Sequence, residues 1–184
     1  MRRKDREMDR EYALDIVDRS DYGVLAIAEN NIPYTVILSI VRVGDYLYFH
    51  SATGGKKVEL LKDGSIVSLS FACDVKVPEL ISREKIEEMV SKGQVATLGS
   101  RVYTTEFGSA HIMGRVKKIE DEEEKIMALI ELCKKYTPKV YDLANDFIQM
   151  SINRTNVYRI SIDEISGKRK AFNEAGEELK WGAI

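Results

Sequence analysis

The run Tyr48-Phe49-His50-Ser51-Ala52-Thr53-Gly54-Gly55-Lys56-Lys57 gathers residue types that can hold a ligand. A strand pattern delivers an imidazole and a hydroxyl, two glycines let the backbone come close to a bound group, and two adjacent lysines open a short helical pattern. Backbone N–H groups at a helix start, hydroxyls and ammonium groups all favour a dianion, so the chemistry is that of a phosphate cradle. It is not a Walker A loop, which needs Gly where His50 stands and Ser or Thr where Lys57 stands. The same residues also suit a solvated Gly-Gly turn followed by two surface lysines, and their types alone leave both readings open.

Other chemistries find less support. Cys73 and Cys133 lie far apart in apolar patterns with no Cys-x-x-Cys spacing, which reads as two small buried thiols rather than a redox pair. His50 and His111 are the only histidines and neither has a second ligand at metal spacing, so no metal site is expected. The carboxylates of residues 121–124 read as a helix start, and no Ser-His-Asp arrangement stands out. The chain has 184 residues with 28 Lys plus Arg against 30 Asp plus Glu, so no broad basic field points to nucleic acid. Its charged opening, with Arg2-Arg3 followed by no apolar run, fits no signal peptide. No apolar run approaches the roughly 20 residues that span a bilayer. A soluble, cytoplasmic protein without a membrane partner is expected.

The elements that must position the cradle follow from periodicity. Tyr12, Ala13, Ile16 and Val17 predict an amphipathic helix over 9–19, started by Asp9. Short apolar or β-branched runs at 23–28, 32–43 and 46–51, joined by turn residues, predict three consecutive antiparallel strands. In 65–73, Val67, Leu69, Phe71 and Cys73 alternate with Ser68, Ser70 and Ala72, a strand whose small-residue face leaves room for something bulky. Residues 75–100 read as an insertion carrying a helix, with Ser82 as its N-cap. Strands return at 101–107 and 109–119, interrupted at Gly108 and Gly114, which suit a bend or a close backbone approach. Residues 121–135 form a helix with Glu124 in capping-box position after Asp121 and Lys134-Lys135 at its basic end. A second helical stretch runs from Pro138 to about 150, a last strand surrounds Tyr158, Ile160 and Ile162, and 168–184 reads as a polar tail. The order of elements disfavours a doubly wound parallel sheet. It predicts one mainly β domain, a six- to seven-stranded antiparallel barrel with helices at its periphery.

Tyr-Phe-His-Ser-Ala, then Gly-Lys-Lys, then Leu60-Leu61 and the small-faced strand of 66–71 together resemble the FMN-binding split-barrel proteins related to pyridoxamine 5'-phosphate oxidase. The opening Met1-Arg2-Arg3-Lys4-Asp5-Arg6-Glu7, Tyr22-Gly23-Val24-Leu25, Pro33-Tyr34, Gly114-Arg115-Val116, and the closing Val157-Tyr158-Arg159-Ile160 with Ser166-Gly167-Lys168 resemble the nitroimidazole-resistance branch. The resemblance covers most of the chain. It implies a homodimer of split barrels with FMN at the interface. The strand of 35–40 would contact the flavin ring, chiefly through the backbone of Ile37, Leu38, Ser39 and Ile40. His50 and Ser51 would lie along the ribityl and phosphate, Lys56 and Lys57 would bind the phosphate, and Ser109 would make a polar flavin contact. His50 alternatively serves as a strand-end histidine.

Two departures from the family pattern matter. The residues from 169 to 184 contain no histidine and so lack the C-terminal arginine and histidine motif of the oxidases proper, which argues against vitamin B6 oxidation. The insertion of 75–100 is longer than the branch leads one to expect, and either covers the flavin's substrate face or elaborates the surface. The implied activity is a flavoprotein reductase taking a hydride from NAD(P)H and passing electrons to a small planar acceptor such as a nitroaromatic. The rivals are a non-catalytic flavin-binding or flavin-sensing module, and a relative that uses haem or a deazaflavin, since fold does not fix function.

Overall fold

Asp9 accepts the amide of Tyr12 at 2.8 Å and so caps the first helix, α1 (Arg10–Arg19). Its position follows the sequence expectation closely. The computed structural model describes residues 2–76, 82–173 and 177–181. Its strands are β1 (Glu7–Met8), β2 (Gly23–Glu29), β3 (Ile32–Leu38), β4 (Val41–Val43), β5 (Tyr46–Ala52), β6 (Ile66–Lys76), β7 (Glu106–Ile119), β8 (Thr155–Ser161) and β9 (Glu164–Lys170). The remaining helices are α2 (Lys56–Leu60), α3 (Arg83–Ser91), α4 (Val95–Arg101), α5 (Glu122–Tyr136) and α6 (Ala144–Ser151). Hydrogen bonding links the strands in the order β3-β2-β6-β7-β8-β5-β4, with β9 joined to β7 and β1 to β9. The pairs β1–β9, β2–β3, β2–β6, β4–β5, β5–β8 and β7–β8 are antiparallel, as expected.

The chain divides into two compact units, one of Met1–Ile16, Ala72–Ala110 and Ser166–Ile184, the other of Val17–Phe71 and His111–Ile165. The second contains the cradle. In it β5 lies between β4 and β8, with His50 opposite Val157 and Ser51 opposite Asn156. Helix α5 covers this ladder. Its Ala128, Leu129 and Leu132 form one buried cluster with Tyr48, Ile119 and Val157. Burying side chains of this size contributes about 1.5–3 kcal/mol each, enough to fix the helix on the sheet. Asp121 accepts the amide of Glu124 at 2.8 Å and caps α5. The reciprocal half of the expected capping box is replaced, because the Glu124 carboxylate accepts from Arg159 at 2.7 Å and from the Tyr48 hydroxyl at 2.9 Å.

The predicted meander over 23–51 is divided. Residues 32–43 are two strands broken at Ser39-Ile40, β3 pairing with β2 and β4 with β5. The cause is α5, whose Tyr136 hydroxyl and Lys135 ammonium take the Ile40 backbone groups that a continuous ladder would otherwise use. Conversely, β7 runs unbroken through Gly108 and Gly114, and begins only at Glu106 because α4 extends through Arg101. Both glycines mark close approaches. A Cβ at Gly108 would sit 2.4 Å from the Tyr12 hydroxyl, and one at Gly114 would sit 1.8 Å from the Ser161 carbonyl oxygen. Ser82 caps α3 as predicted, accepting the amide of Lys85 at 3.4 Å.

The first unit corrects the reading of a polar tail. Residues up to Lys170 belong to β9, where Gly167 lies opposite Met8 and Lys168 opposite Glu7. Phe172 bridges Glu178, and the Trp181 amide donates to the Asp5 carbonyl at 3.1 Å. Arg6 and Lys180 pair with Glu178 at 2.5 and 3.1 Å, and hold its carboxyl down to about 2. Cys73 and Cys133 form no disulfide and are only half-buried, a correction to the expectation of burial.

Candidate functional site

Strand β5 alternates cleanly at its end. Phe49 and Ser51 are buried on one face, while His50 follows Tyr48 onto the face that α5 covers. A group touching both His50 and Ser51 must therefore wrap the end of the strand. After Ala52 the chain turns at Gly54-Gly55, and Gly55 takes φ +106, a conformation that L side chains rarely adopt. Neither glycine has an atom within 4 Å of where a Cβ would be, so this loop is open to a ligand. Helix α2 then starts on Lys56, with the amides of Val58 and Glu59 already donating to the Gly55 carbonyl at 2.9 and 3.2 Å.

The two lysines differ. Lys56 is exposed and lies 3.9 Å from Glu59. Lys57 is half-buried with its ammonium 5.8 Å from the centre of the Phe49 ring, and among the described residues no carboxylate pairs with it. Burial pushes the Lys57 ammonium below its ordinary value. Burial and then the Lys57 charge push the His50 imidazole below its ordinary value as well. Ser51 is buried and its hydroxyl donates to the adjoining Ala52 carbonyl at 2.9 Å, which leaves its oxygen lone pairs as acceptors.

His50 and Ser39 line one cleft of about 300 Å³, whose opposite wall is Leu129, Leu132, Tyr136 and Ile148 from α5 and α6. On the neighbouring strand segment Ile37 and Ser39 are exposed, whereas Leu38 and Ile40 point into the core. Only the backbone of Leu38 and Ile40 can meet a ligand there. A second cleft, of about 450 Å³, is polar. Thr53 and Val58 line it from the cradle, Asn156 and Tyr158 from β8, and Lys118 and Lys125 from β7 and α5. The two clefts share Thr155. Ser109 lies on β7 in the first compact unit, whereas His50, Ser51, Lys56 and Lys57 belong to the second.

Sequence reading missed Asn156, Lys118 and Lys125. Asn156 carries a usable signal, since it is a polar residue that adjoins the buried pair Val157-Tyr158 on β8 and is itself buried. The lysines carry none, because only the pairing of β7 with β8 and the course of α5 bring them to the cleft. The small-residue face of β6 is partly used by a hydrogen bond between Ser68 and His111, 2.8 Å apart.

A chain with an antiparallel sheet, peripheral helices and a cradle at the end of a central strand has close structural counterparts among split-barrel proteins. A candidate 5-nitroimidazole antibiotic resistance protein from Bacteroides thetaiotaomicron VPI-5482 matches with a TM-score of 0.65 and 23% identity, over 89% of this chain and 86% of that one. The FAD and heme binding protein from Mycobacterium smegmatis matches with a TM-score of 0.70 and 17% identity, over 97% and 84%. The flavocytochrome Anf3 from Azotobacter vinelandii matches with a TM-score of 0.67 and 19% identity, over 96% and 78%. These likenesses establish the split-barrel fold. The family model described as pyridoxamine 5'-phosphate oxidase matches residues 9–169, and the chain belongs to that family. No curated protein matches it. Among the described residues no helix is long and apolar enough to cross a membrane.

Proposed function

We propose that this chain is a flavoprotein that binds FMN and passes electrons from NAD(P)H to a small planar acceptor such as a nitroaromatic. The observation that carries the reading is Lys57, a half-buried cation without a carboxylate partner among the described residues, beside an open Gly-Gly loop where two clefts share a residue. A phosphate dianion supplies the missing counter-charge, and a largely apolar cleft next to a polar one suits a planar ring that carries a polar chain. Several relatives are named for binding FAD or haem, which supports a planar cofactor in this fold.

In this reading Lys57 and Lys56 hold the phosphate, Ser51 joins them by turning its hydroxyl from the Ala52 carbonyl to a phosphate oxygen, the backbone of 37–40 and His50 border the ring, and the helices α5 and α6 exclude water from one side of it. The bound flavin supplies the redox chemistry. The chain's own task is to bind, orient and shield. A homodimer belongs to the same reading, since Leu143, just before α6, and Phe147 and Met150 on it stand 63%, 70% and 77% exposed at helical spacing.

The test is direct. Protein purified with FMN should show a bound-flavin spectrum and sediment at about twice the 20.9 kDa chain mass. Anaerobic NADH or NADPH should bleach the flavin band, and a nitroaromatic should restore it. A tightly held flavin that neither donor reduces would favour a binding or sensing module instead.

His50 offers an internal check. Its charged form is disfavoured in the folded chain, so the unfolded chain binds more protons just below the ordinary histidine value, and stability falls as pH drops through that window. A phosphate beside Lys57 cancels the charge that helps depress His50. The His50 proton NMR titration should therefore sit higher in the FMN complex than in the riboflavin complex. Identical titrations in the two complexes would place the phosphate away from Lys57.

A further inference from the structure

The break between β3 and β4 is held by a side chain far along the sequence. Ile40 is fully buried. Its amide donates to the Tyr136 hydroxyl oxygen at 2.9 Å, and its carbonyl accepts from the same hydroxyl at 3.0 Å. The Lys135 ammonium also donates to that carbonyl at 3.0 Å, and to the Val17 carbonyl at 3.2 Å. One phenol, which can donate and accept at once, thus does for Ile40 what a neighbouring strand does elsewhere in a sheet. Tyr136 is also a wall of the apolar cleft, facing a space that Ser39 and His50 share.

We infer that Tyr136 is a positioning residue for the cofactor ring. It fixes the backbone at Ile40 so that Ser39 is presented at the cleft, between two buried neighbours that anchor it on either side. The inference rests on the flavin reading above, and it deepens it by assigning to the last turn of α5 the job of shaping the segment the ring lies against. A phenylalanine keeps the shape of the wall and removes both hydrogen bonds, so it isolates the effect.

Riboflavin and FMN would be titrated into wild type and Tyr136→Phe, at a temperature where melting curves show both folded. Both affinities should fall at least tenfold and by the same factor, and the visible band of the bound flavin should move toward that of free flavin. The equal factor separates a ring-side effect from phosphate reading by Lys57, and a merely structural role would lower the melting point without moving the band. Wild-type riboflavin affinity in a folded Tyr136→Phe protein overturns the inference. Should that variant fail to fold, hydrogen exchange on the wild type decides: saturating riboflavin should slow exchange at the amides of Ser39 and Ile40, and unchanged exchange there with riboflavin bound overturns it. A wild type that binds neither flavin overturns the flavin reading and the inference with it. Binding by wild type with no effect in the variant overturns the inference alone.

Discussion

Replacing Lys56 and Lys57 together with alanine should weaken FMN binding by about two orders of magnitude or more and leave riboflavin binding nearly unchanged. Hydrogen bonds to charged groups contribute roughly 1.5–3 kcal/mol each, and about 1.4 kcal/mol is tenfold in affinity. The two lysines do not share the effect equally. Lys57 is half-buried against Phe49 and has no competing carboxylate among the described residues, whereas Lys56 is exposed and lies near Glu59. An exposed cation facing a carboxylate is screened and partly satisfied already. Most of the loss should therefore appear in Lys57→Ala alone, with Lys56→Ala costing a few-fold at most. Isothermal titration of both flavins into the three variants checks this. Equal losses for FMN and riboflavin would show that the lysines do not read a phosphate.

The backbone of the candidate cradle was legible in the sequence because it is contiguous: a strand end, a Gly-Gly turn and a helix start fall within residues 48–57, and local chemistry suffices to read them. The same holds for the caps at Asp9, Ser82 and Asp121, where donor and acceptor are three residues apart. What was not legible depends on distant partners. The split at Ser39-Ile40 arises from Tyr136, 96 residues away, and no periodicity within 32–43 announces it. Strand β9 reads Glu164–Lys170 as a mixed polar run, and what makes it a strand is its pairing with β1 near the other end of the chain. The glycines of β7 were half legible for a related reason. Gly108 and Gly114 suited either a bend or a close approach, and it is the close approach that holds: each sits within an unbroken β7 where another part of the chain leaves no space for a side chain.

That crowding makes Gly114→Ala the substitution with the largest expected effect on the fold. A Cβ there would lie 1.8 Å from the Ser161 carbonyl oxygen and 3.0 Å from its carbon, both backbone atoms that cannot swing aside. Gly23 provides the contrast, since a Cβ there meets the ends of the Phe71 and Ile40 side chains, which have some freedom to adjust. Overpacking costs about 1–3 kcal/mol, and a clash with backbone belongs at the upper end or beyond it. For a chain of this size roughly 3 kcal/mol corresponds to a fall in melting temperature of about 6–12 °C. The damage should also reach the site. Strand β8 pairs with β7 at Ile160 and Val116, and further along the same strand Asn156 and Val157 set the positions of Ser51 and His50. Pushing β8 away from β7 therefore disturbs the floor of the cradle, and both flavins should bind more weakly, without the phosphate selectivity expected of the lysine variants. For the melting temperature Gly54→Ala is the control, because no atom lies within 4 Å of its added methyl. If Gly114→Ala melts within a degree or two of wild type, the two strands do not approach as closely as the structure has them, and the path from β7 through β8 to the cradle does not carry the strain.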